Sequence, residues 1–139
     1  MIHPAYLLDT NICIFYLRGK YNIDQLIDKV GWNNCYISEI TELELKMGAE
    51  LAKRKRGLDR SEQLMRFLDD INVLPINSAI DIAAEEKVRL RLEGTPCDDN
   101  FDLLIACTAI ANGMICVTDN IKDFNRFRNI RMENWVVRT

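Results

Sequence analysis

Short apolar runs alternate with longer stretches of mixed polarity along this chain. Residues 5–8, 35–37, 71–74 and 114–117 are wholly or largely apolar, and each run is followed by a polar residue or a proline. Such runs are typical of strands that are buried on both faces of a sheet. They predict four core strands, and residues 131–137 predict a fifth strand at one edge.

The intervening stretches carry helical spacing and helix end signals. We predict helices over residues 12–17, in the stretch that ends at Val30, from the cap at Ser38 to the break at Gly57, and over residues 59–68, 78–93 and 103–111. Strands that alternate with helices predict an α/β fold in which a mainly parallel central sheet is covered on both faces. A length of 139 residues suits one domain.

The composition excludes several classes of protein. With 18 Lys and Arg against 21 Asp and Glu, the net charge of -3 rules out a coat protein that binds nucleic acid through overall positive charge. The five cysteines form no Cys-x-x-Cys pair and predict reduced core thiols. No apolar run reaches the roughly 18 residues that span a bilayer, and the N-terminus lacks a signal-peptide pattern. We therefore expect a cytoplasmic protein with no membrane partner.

The single histidine restricts the metal chemistry that is available. Zinc sites and imidazole triads draw on several histidines or on paired cysteines, whereas His3 is expected to be a solvated bystander near the terminus. Any metal ligands in this chain are therefore carboxylates, which suit a hard cation such as Mg²⁺ or Mn²⁺.

Acidic residues gather where the strands of the predicted sheet end. Asp9 follows the first strand and Asp119 follows the strand at residues 114–117. Three more acids open the most apolar helix, namely Asp98, Asp99 and Asp102. Parallel strands end at a common edge, where ligands bind in folds of this kind. We therefore expect these acids to lie close together.

Glu44 is predicted on the core-facing side of its helix. At 100° per residue it falls within the apolar stripe of that helix. The other members of the stripe are Ile40, Met47 and Leu51. A carboxylate in such a stripe is costly unless a shared divalent cation compensates its charge. Gly48, one turn later, leaves room for another element to approach. Together with the acids at the strand ends, this pattern favours a metal site.

Each acid also has a plain structural interpretation. Asp9 suits a helix N-cap, Asp102 a first-turn acid and Asp119 a turn residue. On that interpretation the chain is an interaction module without catalytic activity. A third interpretation is a phosphohydrolase with Asp9 as its nucleophile, although such enzymes usually want a second acid two residues on, where Asn11 stands.

Six segments of the chain resemble motifs of the PIN-domain nucleases. Residues 7–11 resemble the opening motif, and residues 37–48 resemble the second, in which Glu44 stands three residues after a threonine. Residues 102–109 resemble the third motif. The segments that resemble the end of the VapC-type toxins of bacterial toxin-antitoxin pairs are residues 117–120, 123–124 and 133–135. The match runs in order and spacing along nearly the whole chain.

The resemblance implies a single PIN domain over residues 1–139, built as a three-layer sandwich with helices flanking the sheet. It implies a Mg²⁺- or Mn²⁺-dependent endoribonuclease that is the toxin of a type II toxin-antitoxin pair and cleaves RNA with metal-activated water. Asp9, Glu44 and Asp102 are the implied catalytic and metal-binding acids.

The fourth acid of the family falls on an asparagine in this chain. Asn120 is expected to bind the ion through its carbonyl oxygen or through water. Asp119 beside it, or Asp99 across the site, is the candidate catalytic acid for the missing charge. The departure at Asn120 is also the best argument for a catalytically silent module.

Positive charge is concentrated in two stretches that suit a phosphate backbone, an acidic antitoxin segment or merely a solvated helix face. The stretches are Lys46, Lys53, Arg54, Lys55, Arg56, Arg60 and Arg66, and then Lys122, Arg126, Arg128 and Arg131. We predict RNA contacts from Lys53, Arg54 and Arg56. The hydroxyls of Thr10 and Thr118 are further candidates for substrate binding, although they equally suit helix capping and strand ends.

The apolar residues of the first predicted helix suggest a partner surface. Ile12, Phe15, Tyr16 and Leu17 predict a homodimer that meets its antitoxin there, although plain core packing explains some of them equally well. The predicted partners are thus RNA, an antitoxin and a second copy of the chain.

Overall fold

The topology of the sheet brings the ends of its strands to one edge. The computed structural model describes residues 4–139, so His3 lies outside the described residues. The strands are β1 (Tyr6–Leu8), β2 (Cys35–Ser38), β3 (Asn72–Leu74), β4 (Ile115–Val117) and β5 (Arg131–Glu133). They form one sheet in the order β3-β2-β1-β4-β5, and every neighbouring pair is parallel. The predicted parallel sheet is confirmed.

Helices cover both faces of this sheet. They are α1 (Thr10–Leu17), α2 (Ile23–Val30), α3 (Glu39–Arg56), α4 (Ser61–Asp70), α5 (Ile80–Leu92), α6 (Asn100–Ala111) and α7 (Ile121–Phe124). Leu8 belongs to the hydrophobic cluster that α1, α2 and α4 cover, whereas Leu7 belongs to the cluster that α5 and α6 cover. Successive residues of β1 thus face opposite layers. The predicted α/β sandwich is confirmed.

Several predicted boundaries were wrong, because side-chain caps set the ends of the elements. α6 begins at Asn100 rather than at residue 103, since the Asp99 carboxylate caps it. β5 ends at Glu133 rather than at residue 137, and the Asn134 side chain then accepts a hydrogen bond from the Val136 backbone N–H. The short helix α7 was not predicted, because its four residues are too few for a helical period.

The prediction that one apolar stripe of α3 faces the core was wrong beyond its first residue. Ile40 is buried, but Met47 and Leu51 are each 54% exposed. The core face consists instead of Thr41, Leu45 and Ala52. α3 therefore carries two apolar faces, and the helical period alone does not tell which of them packs on the sheet.

Gly48 does not serve a close contact within this chain. A Cβ atom placed on it would meet no other atom within 4 Å. A glycine in a helix interior costs about 1 kcal/mol relative to alanine. The predicted approach of another element at this position is therefore wrong within the described chain.

The apolar side chains of α1 serve the core more than a partner. Ile12 is fully buried, so its predicted place on a partner surface was wrong. Phe15, Tyr16 and Leu17 are partly buried against the same cluster. The Tyr16 ring, for example, lies 5.1 Å from the ring of Phe67.

The cysteines lie in the core, and no disulfide links them. All five cysteines are free and buried, which confirms the predicted core thiols. Within residues 4–139, no helix combines the length and the apolar character that crossing a bilayer requires.

Candidate functional site

Three acids from different parts of the chain reach one cleft. Asp9 directly follows β1 and caps α1, Glu44 lies in the second turn of α3, and Asp102 lies in the first turn of α6. They line a cleft of about 310 Å³ together with Thr10, Asn11, Ile14, Asp99 and Asn120. The convergence follows from the sheet, because β1 lies between its parallel neighbours β2 and β4.

Asp9 is both a helix cap and a member of the cleft. Its Oδ1 accepts a hydrogen bond from the Thr10 backbone N–H at 2.7 Å, and its Oδ2 accepts one from the Thr118 hydroxyl at 2.8 Å. The Asn120 backbone N–H donates to the same Thr118 oxygen at 2.9 Å. Burial raises the pKa of Asp9, these hydrogen bonds oppose the shift, and the charge of Glu44 adds to it. The carboxyl is therefore held in place at an electrostatic cost.

Glu44 is held by the residue that also binds Asp9. The Thr10 hydroxyl donates to Glu44 Oε1 at 2.7 Å, while the Thr10 backbone N–H bonds to Asp9. Thr10 thus links the start of α1 to α3. The protons of Thr10 and Thr118, both predicted to contact substrate, point at carboxylates in this arrangement.

Asp102 has no comparable support. Within residues 4–139, no hydrogen bond or ion pair reaches its carboxylate. Burial raises the pKa of Asp102 to about 7, and the charges of Asp99, Asp9 and Glu44 contribute to the shift. The cleft therefore disfavours the ionised form of the Asp102 carboxyl group.

Asn120 and Asp99 add oxygen atoms to the cleft. Asn120 precedes α7, and its side chain makes no capping hydrogen bond there. Asp99 accepts hydrogen bonds from the N–H groups of Phe101 and Asp102 at 3.0 and 3.1 Å. Asp99 thus caps α6 while its charge faces the other acids.

Asp119 lies outside the cleft and has its own partner. Arg138 donates two hydrogen bonds to its carboxylate, at 2.9 and 2.6 Å, and Asn134 donates a third at 3.1 Å. The Arg138 guanidinium holds the pKa of Asp119 below its usual value. Asn120, the next residue, lines the cleft instead. Sequence reasoning missed Arg138, which carried no motif.

The donor set of the cleft suits a hard divalent cation. Carboxylate and amide oxygens, as in Asp9, Glu44, Asp102 and Asn120, are the ligands that Mg²⁺ and Mn²⁺ prefer. A cation would also offset the burial and the repulsion that together raise the pKa of Asp102. Within residues 4–139, no three acids already close around one point. The acidic side chains line the cleft, but in this part of the chain they do not form a complete coordination shell.

An apolar groove adjoins the cleft. It is lined by Ile14, Leu17, Leu45, Gly48, Ala49, Ala52 and Leu64, and by Arg18, Glu44, Arg56, Arg60 and Gln63. Ile14 and Glu44 line both the groove and the cleft. A molecule in the groove would therefore reach the edge of the acidic site.

The structure separates the basic residues that were predicted to bind RNA. Arg56 lines the groove beside the cleft, whereas Lys53 lines a separate groove between α3 and α4. Arg54 pairs with Glu50 at 2.8 Å. In the second basic stretch, Arg126, Arg128 and Arg131 contact the Pro96 carbonyl, Glu93 and the Gly113 carbonyl, respectively.

Known proteins resemble this chain over almost its full length. The PIN domain matches residues 6–130. The ribonuclease VapC2 of Rickettsia felis is 34% identical over 135 residues, which cover 94% of this chain and 97% of that protein. The tRNA(fMet)-specific endonuclease VapC of Shigella flexneri is 32% identical with the same coverage of both proteins.

Two solved structures share the fold. A VapBC2 structure from Rickettsia felis, bound to a DNA fragment from their promoter, has a TM-score of 0.82 at 30% identity and covers 94% of this chain and 98% of its own. A DNA-bound VapBC structure from Salmonella typhimurium has a TM-score of 0.83 at 29% identity and covers 95% and 98%. The chain therefore belongs to the PIN-domain family, as one of its VapC-type members.

Proposed function

We propose that this protein is a Mg²⁺-dependent endoribonuclease, with Mn²⁺ as the alternative ion, and the cytoplasmic toxin of a type II toxin-antitoxin pair. The convergence of Asp9, Glu44 and Asp102 on one cleft carries the proposal. The relatives are named ribonuclease and tRNA(fMet)-specific endonuclease, which supports RNA as the substrate.

Some residues of the cleft would bind an ion, and others orient the carboxylates that would bind it. Asp9, Glu44 and Asp102 would hold the ion, and the Asn120 carbonyl oxygen would add a neutral ligand. A bound Mg²⁺ supplies Lewis-acid polarisation of the scissile phosphodiester and of the attacking water. Thr118 and Thr10 keep Asp9 and Glu44 oriented. Within residues 4–139, no group donates a hydrogen bond to the Asp102 carboxylate. Asp102 would lose its proton when a bound cation compensates its negative charge.

The two alternative functions have less support. A phosphohydrolase with Asp9 as its nucleophile usually wants a second acid two residues on, and Asn11 stands at that position. An interaction module has no use for an acid such as Asp102, whose pKa of about 7 reflects uncompensated burial. A nuclease uses that same feature to bind a cation.

The groove beside the cleft is the proposed site of the antitoxin. Its apolar lining suits an apolar segment, and Arg18, Arg56 and Arg60 suit acidic groups at the ends of that segment. Gly48 allows the backbone of a partner to approach α3 closely, which gives this glycine a function that the isolated chain lacks. Occupation of the groove would cover Glu44 and inhibit cleavage.

A second copy of the chain is proposed to cover the outer face of α3. Leu43, Met47 and Leu51 are 44%, 54% and 54% exposed and recur at every fourth residue. An apolar face of this kind marks a protein interface, and a twofold axis allows one face to meet itself. This face is the proposed dimer surface.

Replacing Asp102 by Asn is expected to abolish metal-dependent cleavage while the fold persists. Loss of a charged ligand costs several kcal/mol of transition-state stabilisation, so the rate should fall by at least about 100-fold. Cleavage of a labelled RNA with added Mg²⁺ is the measurement. Cleavage at the wild-type rate would contradict the assignment.

The same variant should be more stable than the wild type when metal is removed with a chelator. The pKa of Asp102 is about 7 in the folded protein against 3.8 in a free chain, so the folded state loses stability as pH rises through this window. After allowance for its partial exposure, we expect an advantage of about 1 kcal/mol, or about 3 °C, above pH 7. The advantage should vanish near pH 4, and a pH series of thermal unfolding tests it.

Asn120→Asp and Asp119→Asn form a matched pair at adjacent positions. Asn120→Asp places a charge on the cleft and should lower the Mg²⁺ concentration for half-maximal cleavage by about 3- to 10-fold. Asp119→Asn removes a charge that is bound to Arg138 and should leave that concentration unchanged. The opposite pattern would show that Asp119 supplies the fourth acid.

Gly48→Leu should release the nuclease from its antitoxin. The added side chain would occupy the part of the groove one turn beyond Glu44 and leave the cleft itself open, so cleavage should persist while antitoxin binding weakens by at least about 10-fold. Titration with the cognate antitoxin is the measurement. Ala84→Leu adds nearly the same bulk at an exposed position of α5 and serves as the control. Unchanged inhibition of Gly48→Leu would rule out the groove.

Met47→Glu should convert the dimer into monomers at concentrations of tens of micromolar, because two introduced charges would meet across the twofold axis. Analytical ultracentrifugation measures the effect. Met65→Glu changes a methionine on α4 that is at least as exposed as Met47 and should leave the dimer intact. A wild-type protein that sediments only as a monomer would contradict the proposed dimer.

A further inference from the structure

Thr41 is a fully buried hydroxyl residue of α3 that touches none of the acids of the cleft directly. Its side chain is 0% exposed, and it lies three residues before Glu44 on the same helix. Its Oγ1 lies 3.0 Å from Oγ1 of Thr10, which begins α1. The contact joins two helices across the layer that carries the cleft.

The number of available protons sets the direction of this hydrogen bond. A carboxylate only accepts, so the Thr10 hydroxyl gives its proton to Glu44 Oε1 at 2.7 Å. A hydroxyl has one proton, and Thr10 Oγ1 therefore acts as the acceptor towards Thr41. The hydrogen bonds form one chain, in which Thr41 donates to Thr10 and Thr10 donates to Glu44.

This geometry differs from the usual one for a threonine inside a helix. Such a residue commonly donates to the carbonyl four residues earlier, as Thr108 does to Leu104 at 2.7 Å. Thr41 lies in the first turn of α3, and the residue four positions before it, Ile37, belongs to β2. Its hydroxyl donates instead across the interface to Thr10.

We propose that Thr41 is a positioning residue that aims the Thr10 hydroxyl at Glu44 and so sets the geometry of the acidic cleft. Glu44 is half-buried and has three rotatable side-chain bonds, so a fixed donor removes alternative rotamers. Thr10 also bonds to Asp9 through its backbone N–H, so the residue that Thr41 contacts is bonded to both acids. The inference rests on the proposed metal-dependent function.

Three variants isolate the hydroxyl. Thr41→Val removes it at nearly constant volume, Thr41→Ser retains it, and Thr108→Val removes an equally buried hydroxyl that bonds only within its own helix. We expect Thr41→Val to weaken Mn²⁺ binding by about 10-fold, measured by calorimetry without RNA. The Mg²⁺ concentration for half-maximal cleavage should rise by a similar factor, with kcat at saturating Mg²⁺ within about twofold of the wild type. Thr41→Ser and Thr108→Val should bind Mn²⁺ like the wild type.

A measurement on metal-free protein tests the mechanism separately. Three-bond couplings of the Thr10 methyl group should report one χ1 rotamer in the wild type and in Thr41→Ser, and averaged rotamers in Thr41→Val. Thr41→Cys, which keeps the volume and is only a weak donor, replaces Thr41→Val if that variant does not fold. An unchanged Thr10 rotamer in the folded variant overturns the inference. A wild type that binds no Mn²⁺ overturns the proposed metal centre instead, and the Thr10 rotamer still decides the role of Thr41.

Discussion

Partial burial of several carboxylates side by side in one cleft is the constraint on which the rest of the site depends. Asp9, Glu44 and Asp102 line the same cleft, and burial together with neighbouring charges raises the pKa of Asp9 and Asp102. Hydrophobic packing does not require acids at these positions. Their proximity costs stability in the absence of a compensating cation. The acids therefore lower the stability of the isolated chain, and the same acids enable the cleft to bind positive charge.

The partners of the acids differ between the cleft and the rest of the fold. Glu86 binds Arg89 at 2.7 Å and Asp119 binds Arg138 at 2.6 Å, so both have charged partners. Asp9 and Glu44 instead receive hydrogen bonds from threonine hydroxyls and a backbone N–H. A guanidinium would neutralise a carboxylate and compete with a metal ion, whereas a hydroxyl orients it and leaves its charge available. The choice of neutral donors thus suits a site that binds a cation.

Helix α3 connects the site to two surfaces. Its inner face packs on the core through Leu45, its edge contributes Glu44 to the cleft, and its outer face exposes Met47. The groove and the cleft share Glu44, so a molecule bound in the groove would lie beside the acids. A glycine at position 48 weakens the helix slightly. The proposed approach of a partner to the backbone at Gly48 would explain this cost in stability.

Local patterns in the sequence determined the α/β class, the parallel sheet and the place of Asp9 and Asp102 at the edge where the strands end, because apolar runs, helical spacing and the residues that follow strands are encoded by near neighbours. Glu44 was indicated by the resemblance to the second PIN-domain motif, since the apolar stripe that contains it does not face the core beyond Ile40. Tertiary structure alone decided which face of α3 is buried, why Asn120 rather than Asp119 enters the cleft, and how Thr41 reaches Thr10. The last two outcomes depend on the pair of Asp119 with Arg138 and on the contact of Thr10 with Thr41, which join residues 19 and 31 positions apart. A helical period is satisfied equally by a core face and by a partner face, so only the packing of the whole chain distinguishes them.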